Sequence, residues 1–201
     1  MYCGIVFSED DSSESQVAFL EDELETFSVE TNEEIIELVE ERTPELIAVN
    51  TGLQERTELS EGEEELQEEG HIYTPAKHDT KRVRRFEAFK GLLERKLPGE
   101  DIPEFIRFEP MISGRELAVD SDSALESYGV DPSDIDSSVE FDATLGAVTA
   151  RFYSQEQTED MGVQVPEPVF ETEEEVKKDP REGEGEKIPG SELQEDGTEN
   201  L

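Results

Sequence analysis

The chain has one cysteine, no tryptophan and only seven lysines in 201 residues. A lone Cys3 excludes an internal disulfide framework and a cysteine-built zinc cage. Without tryptophan, any stacking on a ligand falls to phenylalanine or tyrosine. No run of about 18 apolar residues occurs, so no membrane-spanning helix is expected. The start, MYCGIVFSEDD, lacks both a basic segment and a long apolar stretch. It does not read as a secretory signal, and a cytoplasmic location is expected.

Negative charge is what the chain has in excess. Fifty-five acids face 17 bases, for a formal charge of −38, and 41 of those acids are glutamate. Self-repulsion of that size opposes a compact state in dilute salt. At 1 M salt the screening length falls to ~3 Å, which removes most of it. The composition reads as the surface of a protein from a salt-accumulating, halophilic cell. An acidic mimic of nucleic acid and a largely disordered acidic chain are the alternatives. The halophile reading predicts that the thermal midpoint climbs along a KCl series from dilute to molar. A flat or falling midpoint would refute it.

Short aliphatic runs mark the strands. Met1–Ser8, Gln16–Leu20 and Leu24–Val29 are close enough to form an antiparallel meander. Thr31 and Glu34 fit a capping box, which predicts a helix from Asn32 to Arg42 that stops before Pro44. Leu46–Asn50 reads LIAVN, as a strand covered on both faces does, with its polar end at a site. Residues Gln54–Gly70 hold eight glutamates and few apolar residues, and a solvated insertion loop is expected.

The charge then reverses. Eight of the 17 bases lie between Lys77 and Lys96, on a predicted helix whose apolar face is Phe86, Phe89, Leu92 and Leu93. Phe105–Phe108 predicts a further strand, Ser113–Val119 and Ser123–Tyr128 short helices, and Ser137–Tyr153 a long one. That last helix carries Phe141, Leu145, Val148 and Phe152 on one face, with Ala143, Gly146, Ala147 and Ala150 beside them. A helix apolar on two sides belongs inside a domain. Residues 1–170 therefore read as one domain. Glu171–Leu201, with twelve acids and scattered aliphatics, reads as a disordered acidic tail.

Four segments in this order resemble the ribonuclease H-like fold, and more narrowly an uncharacterised family of predicted nucleases. They are Gly4-Ile5 in the first strand, Ala48-Val49-Asn50-Thr51-Gly52-Leu53, Phe105–Pro110, and Phe141-Asp142-Ala143 through Ala150. The resemblance implies an α/β domain with a mixed five-stranded sheet and flanking helices. It also implies carboxylates at strand ends and on the late helix, holding two Mg²⁺ ions for phosphodiester hydrolysis. Matched residue by residue, those positions are largely not acids. Val6 stands at the first-strand position unless Glu9 or Asp10 substitutes, and Asn50 stands at the second. Arg107 stands near the third, with Glu109 close by. Only Asp142 matches cleanly. Candidate catalytic residues are thus Asp142, Asn50 and Glu109, with Asp142 as metal ligand and any Mg²⁺ held weakly.

Each position also has a plainer reading. Asp142 suits a helix start, Asn50 a side-chain turn, and Glu109 a solvated strand end. The basic helix, through Lys81, Arg82, Arg84 and Arg85, either pairs internally, for example with glutamates 61–69, or contacts nucleic acid or a partner protein. His71 and His78 read as loop residues. The readings left open are a degenerate metal-dependent nuclease, an inactive binding domain on the same fold, and a generic acidic interaction protein whose likeness is accidental.

Overall fold

The computed structural model describes residues 1–9, 13–54, 56, 58–71, 80–99 and 101–168. Asp10, Lys77, His78 and the expected tail from Glu171 lie outside the described residues. Strands β1 (Tyr2–Val6), β2 (Ser15–Leu20), β3 (Leu24–Val29), β4 (Leu46–Val49) and β5 (Glu104–Arg107) form one sheet in the order β3-β2-β1-β4-β5. β1, β2 and β3 run as an antiparallel meander, while β4 and β5 add in parallel to β1. This is the mixed five-stranded sheet with flanking helices that the segment order implied.

Strand alternation sorts the core into two layers. Cys3, Ile5, Phe7, Ile47 and Val49 face helices α1 (Asn32–Arg42) and α3 (Thr80–Lys96), which supply Ile35, Ile36, Val39, Phe86, Phe89 and Leu93. Phe7 and Phe105 meet Phe86 and Phe89 with ring centroids 5.3–6.2 Å apart, in tilted or edge-on contacts. The opposite layer joins Val6, Ala18, Leu46, Ala48, Ile106 and Phe108 to Ala143, Leu145, Ala147, Val148 and Ala150 of α5 (Ser138–Ser154). α1 and α5 both begin with reciprocal capping boxes, Thr31 with Glu34 and Ser137 with Glu140.

The small-residue face of α5 lets it lie directly on β1. A methyl group added to Gly4 would stand 2.0 Å from the Ala143 carbonyl oxygen and 2.5 Å from the Ala147 nitrogen. The far end of α5 is fixed to the strand starts. The Tyr153 hydroxyl donates to Glu104 at 2.8 Å, and the Ser154 hydroxyl donates to the Tyr2 hydroxyl at 2.9 Å. α5 therefore runs antiparallel to β1, β4 and β5, and its first turns lie toward their carboxyl ends.

Segment 54–70 corrects the expectation of a solvated loop. It contains α2 (Glu61–Glu68), capped by Ser60 and Glu63, with Leu66 buried. Leu66 packs with Ile112 of α4 (Pro110–Glu116) and with Met161, Val163 and Val165 of a hairpin formed by β6 (Thr158–Asp160) and β7 (Gln164–Pro166). His71 is a loop residue, as expected, just after α2. It is buried, with Nε2 3.5 Å from Glu116 and 3.8 Å from Glu69, where the ends of α2 and α4 meet. α4 starts three residues earlier than the sequence pattern suggested, with Pro110 in its first turn, where a missing N–H costs nothing.

Candidate functional site

The positions that the resemblance marks lie at the carboxyl ends of β1, β4 and β5. Val6, in the first, is buried against α5 and offers no ligand atom. Asn50, at the end of β4, is also buried. Its Oδ1 accepts the Phe7 amide at 2.9 Å, and its own amide donates to the Ile5 carbonyl at 3.2 Å. Asn50 thus ties the ends of β1 and β4 together, and the carbonyl oxygen that would face a metal already has a backbone partner.

Arg107 ends β5 and is buried with Glu63 of α2, which accepts its Nη1 hydrogen bond. Arg56 reaches the same carboxylate at 3.2 Å, and the other Glu63 oxygen accepts the Ser60 amide at 2.8 Å. Arg107 also donates to the Gly162 carbonyl at 3.3 Å. Burial alone would push the Glu63 carboxyl up, but the Ser60 amide, Arg107 and Arg56 together hold it below its ordinary value. This three-part cluster occupies the strand end where a nuclease of the resembled family would carry an acid. Glu109 follows with extended backbone, so the strand alternation continues through it and sends its side chain toward the Arg107 face, away from α5.

Asp142 sits one turn inside α5, half-buried in a groove walled by α4 and the turn after it, with Met111, Arg115, Asp120 and Phe141 among the lining residues. Neither Val6, Asn50 nor Glu109 lines that groove. Burial pushes the Asp142 carboxyl up to about 6. Glu9, a possible substitute ligand, pairs instead with Arg82 of α3 at 3.0 Å. Among the described residues no three His, Cys, Asp or Glu side chains gather where they could hold a metal ion. The donor set of the described residues therefore does not fit the two hard cations of a ribonuclease H-like nuclease, which need several carboxylate oxygens around a shared point.

The raised Asp142 value carries a pH prediction. The folded state holds this proton more tightly than the unfolded chain. Its contribution is therefore complete below the ordinary value of 3.8 and is lost as pH rises through about 6. Asp142→Asn should stabilise the domain at neutral pH by about 1 kcal/mol, a figure discounted for solvent screening of a half-exposed group. The gain should shrink toward zero as pH falls toward 4. Paired denaturant melts across that range check it, and a pH-independent difference would contradict it.

The basic helix reaches the turn after β1, the start of α1 and the last turns of α1. Arg85 donates to the Glu30 carbonyl at 2.9 Å, to Asn32 Oδ1 at 3.3 Å and to the Ser8 hydroxyl. Lys96 reaches Glu40 at 3.2 Å. Lys81, Arg84 and Arg85 line an open groove between α3 and the start of α1, together with Ala88, Leu92 and the acids Glu9, Glu30 and Glu33.

No protein-family model matches the sequence, and no curated protein matches it. Similar solved structures include two of Thermus thermophilus RuvC. The chain is 16% identical to Thermus thermophilus RuvC in complex with a Holliday junction substrate, with a TM-score of 0.48 over 82% of this chain and 97% of that one. It is 15% identical to a second Thermus thermophilus RuvC structure, with a TM-score of 0.46 over 82% and 98%. Likenesses of that depth carry nothing about chemistry, which rests on the residues above. No helix among the described residues is long and apolar enough to cross a membrane.

Proposed function

We propose that this chain is a ribonuclease H-like domain that does not hydrolyse phosphodiesters and works by binding nucleic acid along α3. It would be a divergent member of the predicted-nuclease family that its sequence resembles. The observation that carries the reading is the state of the four marked positions. One is aliphatic and one is an amide used by the backbone. One is an arginine locked on a buried glutamate, and one is a lone, half-buried aspartate. Three of the four serve the fold: Val6 packs against α5, Asn50 ties β1 to β4, and Arg107 holds Glu63.

The groove of Lys81, Arg84, Ala88 and Leu92 supports the binding half. It brings Lys81, Arg84 and Arg85 together beside the acids Glu9, Glu30 and Glu33 on a chain of −38, and phosphate contacts give most of the affinity of non-specific nucleic-acid binding. Two phosphate contacts would give a slope of log affinity against log salt of about −2. Fluorescence anisotropy with labelled duplex and single-stranded DNA, from dilute to molar KCl, tests this. The double change Lys81→Glu, Arg84→Glu should abolish binding and leave the thermal midpoint within a few degrees. Unchanged affinity in that variant would remove α3 as the site.

A further inference from the structure

Among the described residues, the large apolar side chains left exposed are Leu53, Met111 and Val139. Two of these three stand beside Asp142. Met111, 61% exposed, lines the groove between α4 and α5 with it, and Val139 lies one helical turn before it on the same face of α5. The groove measures about 660 Å³, and Phe141 and Leu145 extend its apolar wall. Exposed apolar residues gathered at a groove and rimmed by charge form the pattern of a contact site, whereas scattered ones need no explanation.

The charges of the lining are two carboxylates against one guanidinium. Asp142 has no hydrogen bond or ion pair to another residue, and burial raises its carboxyl with no cation to offset the cost. Asp120 accepts the neighbouring Ser121 hydroxyl at 3.2 Å, and no cation pairs with it. Arg115 is engaged elsewhere, with its Nε 3.8 Å from Glu116. A half-buried carboxylate without a partner, set in an apolar groove, is the complement of a cation flanked by apolar groups. Guanidinium suits it better than ammonium, being more weakly hydrated and matched to a carboxylate in two hydrogen bonds. The field of a chain of −38 also draws basic partners toward it.

We propose that this groove receives a segment of a partner protein in which one arginine stands between apolar residues. The guanidinium pairs with Asp142, and the flanking side chains cover Met111, Phe141 and Val139. The site shares no residue with the α3 groove, so its failure leaves the nucleic-acid reading untouched.

The probe is the capped tripeptide Leu-Arg-Leu, with Leu-citrulline-Leu as its neutral isostere. Both are titrated into the full chain in 1 M KCl, which screens the diffuse attraction of the surface carboxylates, and binding is followed by NMR at the Met111 methyl and the Asp142 amide. Leu-Arg-Leu should bind about tenfold tighter than the citrulline peptide, the gap expected when a half-buried carboxylate gains its counter-charge. Asp142→Asn should close that gap. Met111→Ser, a change at an exposed side chain, should weaken both peptides by about threefold and preserve the gap. Equal affinity of the two peptides, or a gap that survives Asp142→Asn, overturns the proposal. So does capped arginine that binds as tightly as Leu-Arg-Leu, because the occupant would then be a small cation. Met111 shifts that grow with protein concentration alone overturn it too, since a second copy of the chain would fill the groove.

Discussion

Gly4→Ala should unfold the domain or lower its thermal midpoint by roughly 10 °C or more, the shift expected for a loss of about 3 kcal/mol or more at this size. The added methyl would lie 2.0 Å from the Ala143 carbonyl oxygen, 2.5 Å from the Ala147 nitrogen and 2.9 Å from the Gly146 carbonyl carbon. All three are backbone atoms of α5, so no side-chain rotation relieves the clash. The helix would have to rise from the central strand, opening the layer that holds Val6, Ala48, Phe108 and Leu145. Gly91→Ala is the control. Nothing lies within 4 Å of its added methyl on α3, so it should stabilise by about 0.5–1 kcal/mol, the usual gain for alanine over glycine inside a helix. Comparable midpoints for the two variants would contradict the close approach of α5 to β1.

Glu63→Gln should cost about 3 kcal/mol at neutral pH, because it leaves the buried Arg107 guanidinium without its counter-charge. The penalty depends on pH. The carboxyl is held below its ordinary value in the folded chain, so its contribution is complete above the usual carboxylate range and fades as pH falls through the lowered value. A double change, Glu63→Leu with Arg107→Met, should recover most of the loss, since a packed apolar pair avoids the desolvation of both ions. A short deficit should remain from the lost Ser60–Glu63 cap, about 1 kcal/mol. Urea melts of the three variants give the coupling directly, and a double variant no better than Glu63→Gln would mean that the cluster does not act as a pair.

The two layers of the sheet were legible because buried strands must be aliphatic. Tyr2–Val6, Leu46–Val49 and the FIRF segment are short apolar runs in an otherwise acidic chain, and α5 announces itself by small residues at helical spacing. α2 was not legible by the same rule. Its sequence, EGEEELQE, gives one apolar side chain to the interior, and its second buried residue is a glutamate. The available signal was the Ser60–Glu63 capping pair, the same spacing that marked α1. Nothing local separates Glu63 from its seven neighbouring glutamates. What buries it is Arg107, 44 residues away, together with the close passage of Met161 over Gly62.

The site was legible by position more than by role. Asp142, Asn50 and Arg107 were each singled out by the resemblance, as positions at strand ends and on the late helix. Their tasks depend on partners that sequence does not display. Asn50 holds the Phe7 amide, Arg107 holds Glu63, and Asp142 meets a groove beside α4.

Strand cleavage in molar KCl, with Mg²⁺ or Mn²⁺ and with branched, duplex and single-stranded substrates, tests the central claim most directly. The parent should release no more product than Asp142→Asn, and should still bind DNA in the absence of either metal. Metal-dependent scission by the parent that Asp142→Asn abolishes would contradict it, and would show that a working carboxylate site assembles around that residue.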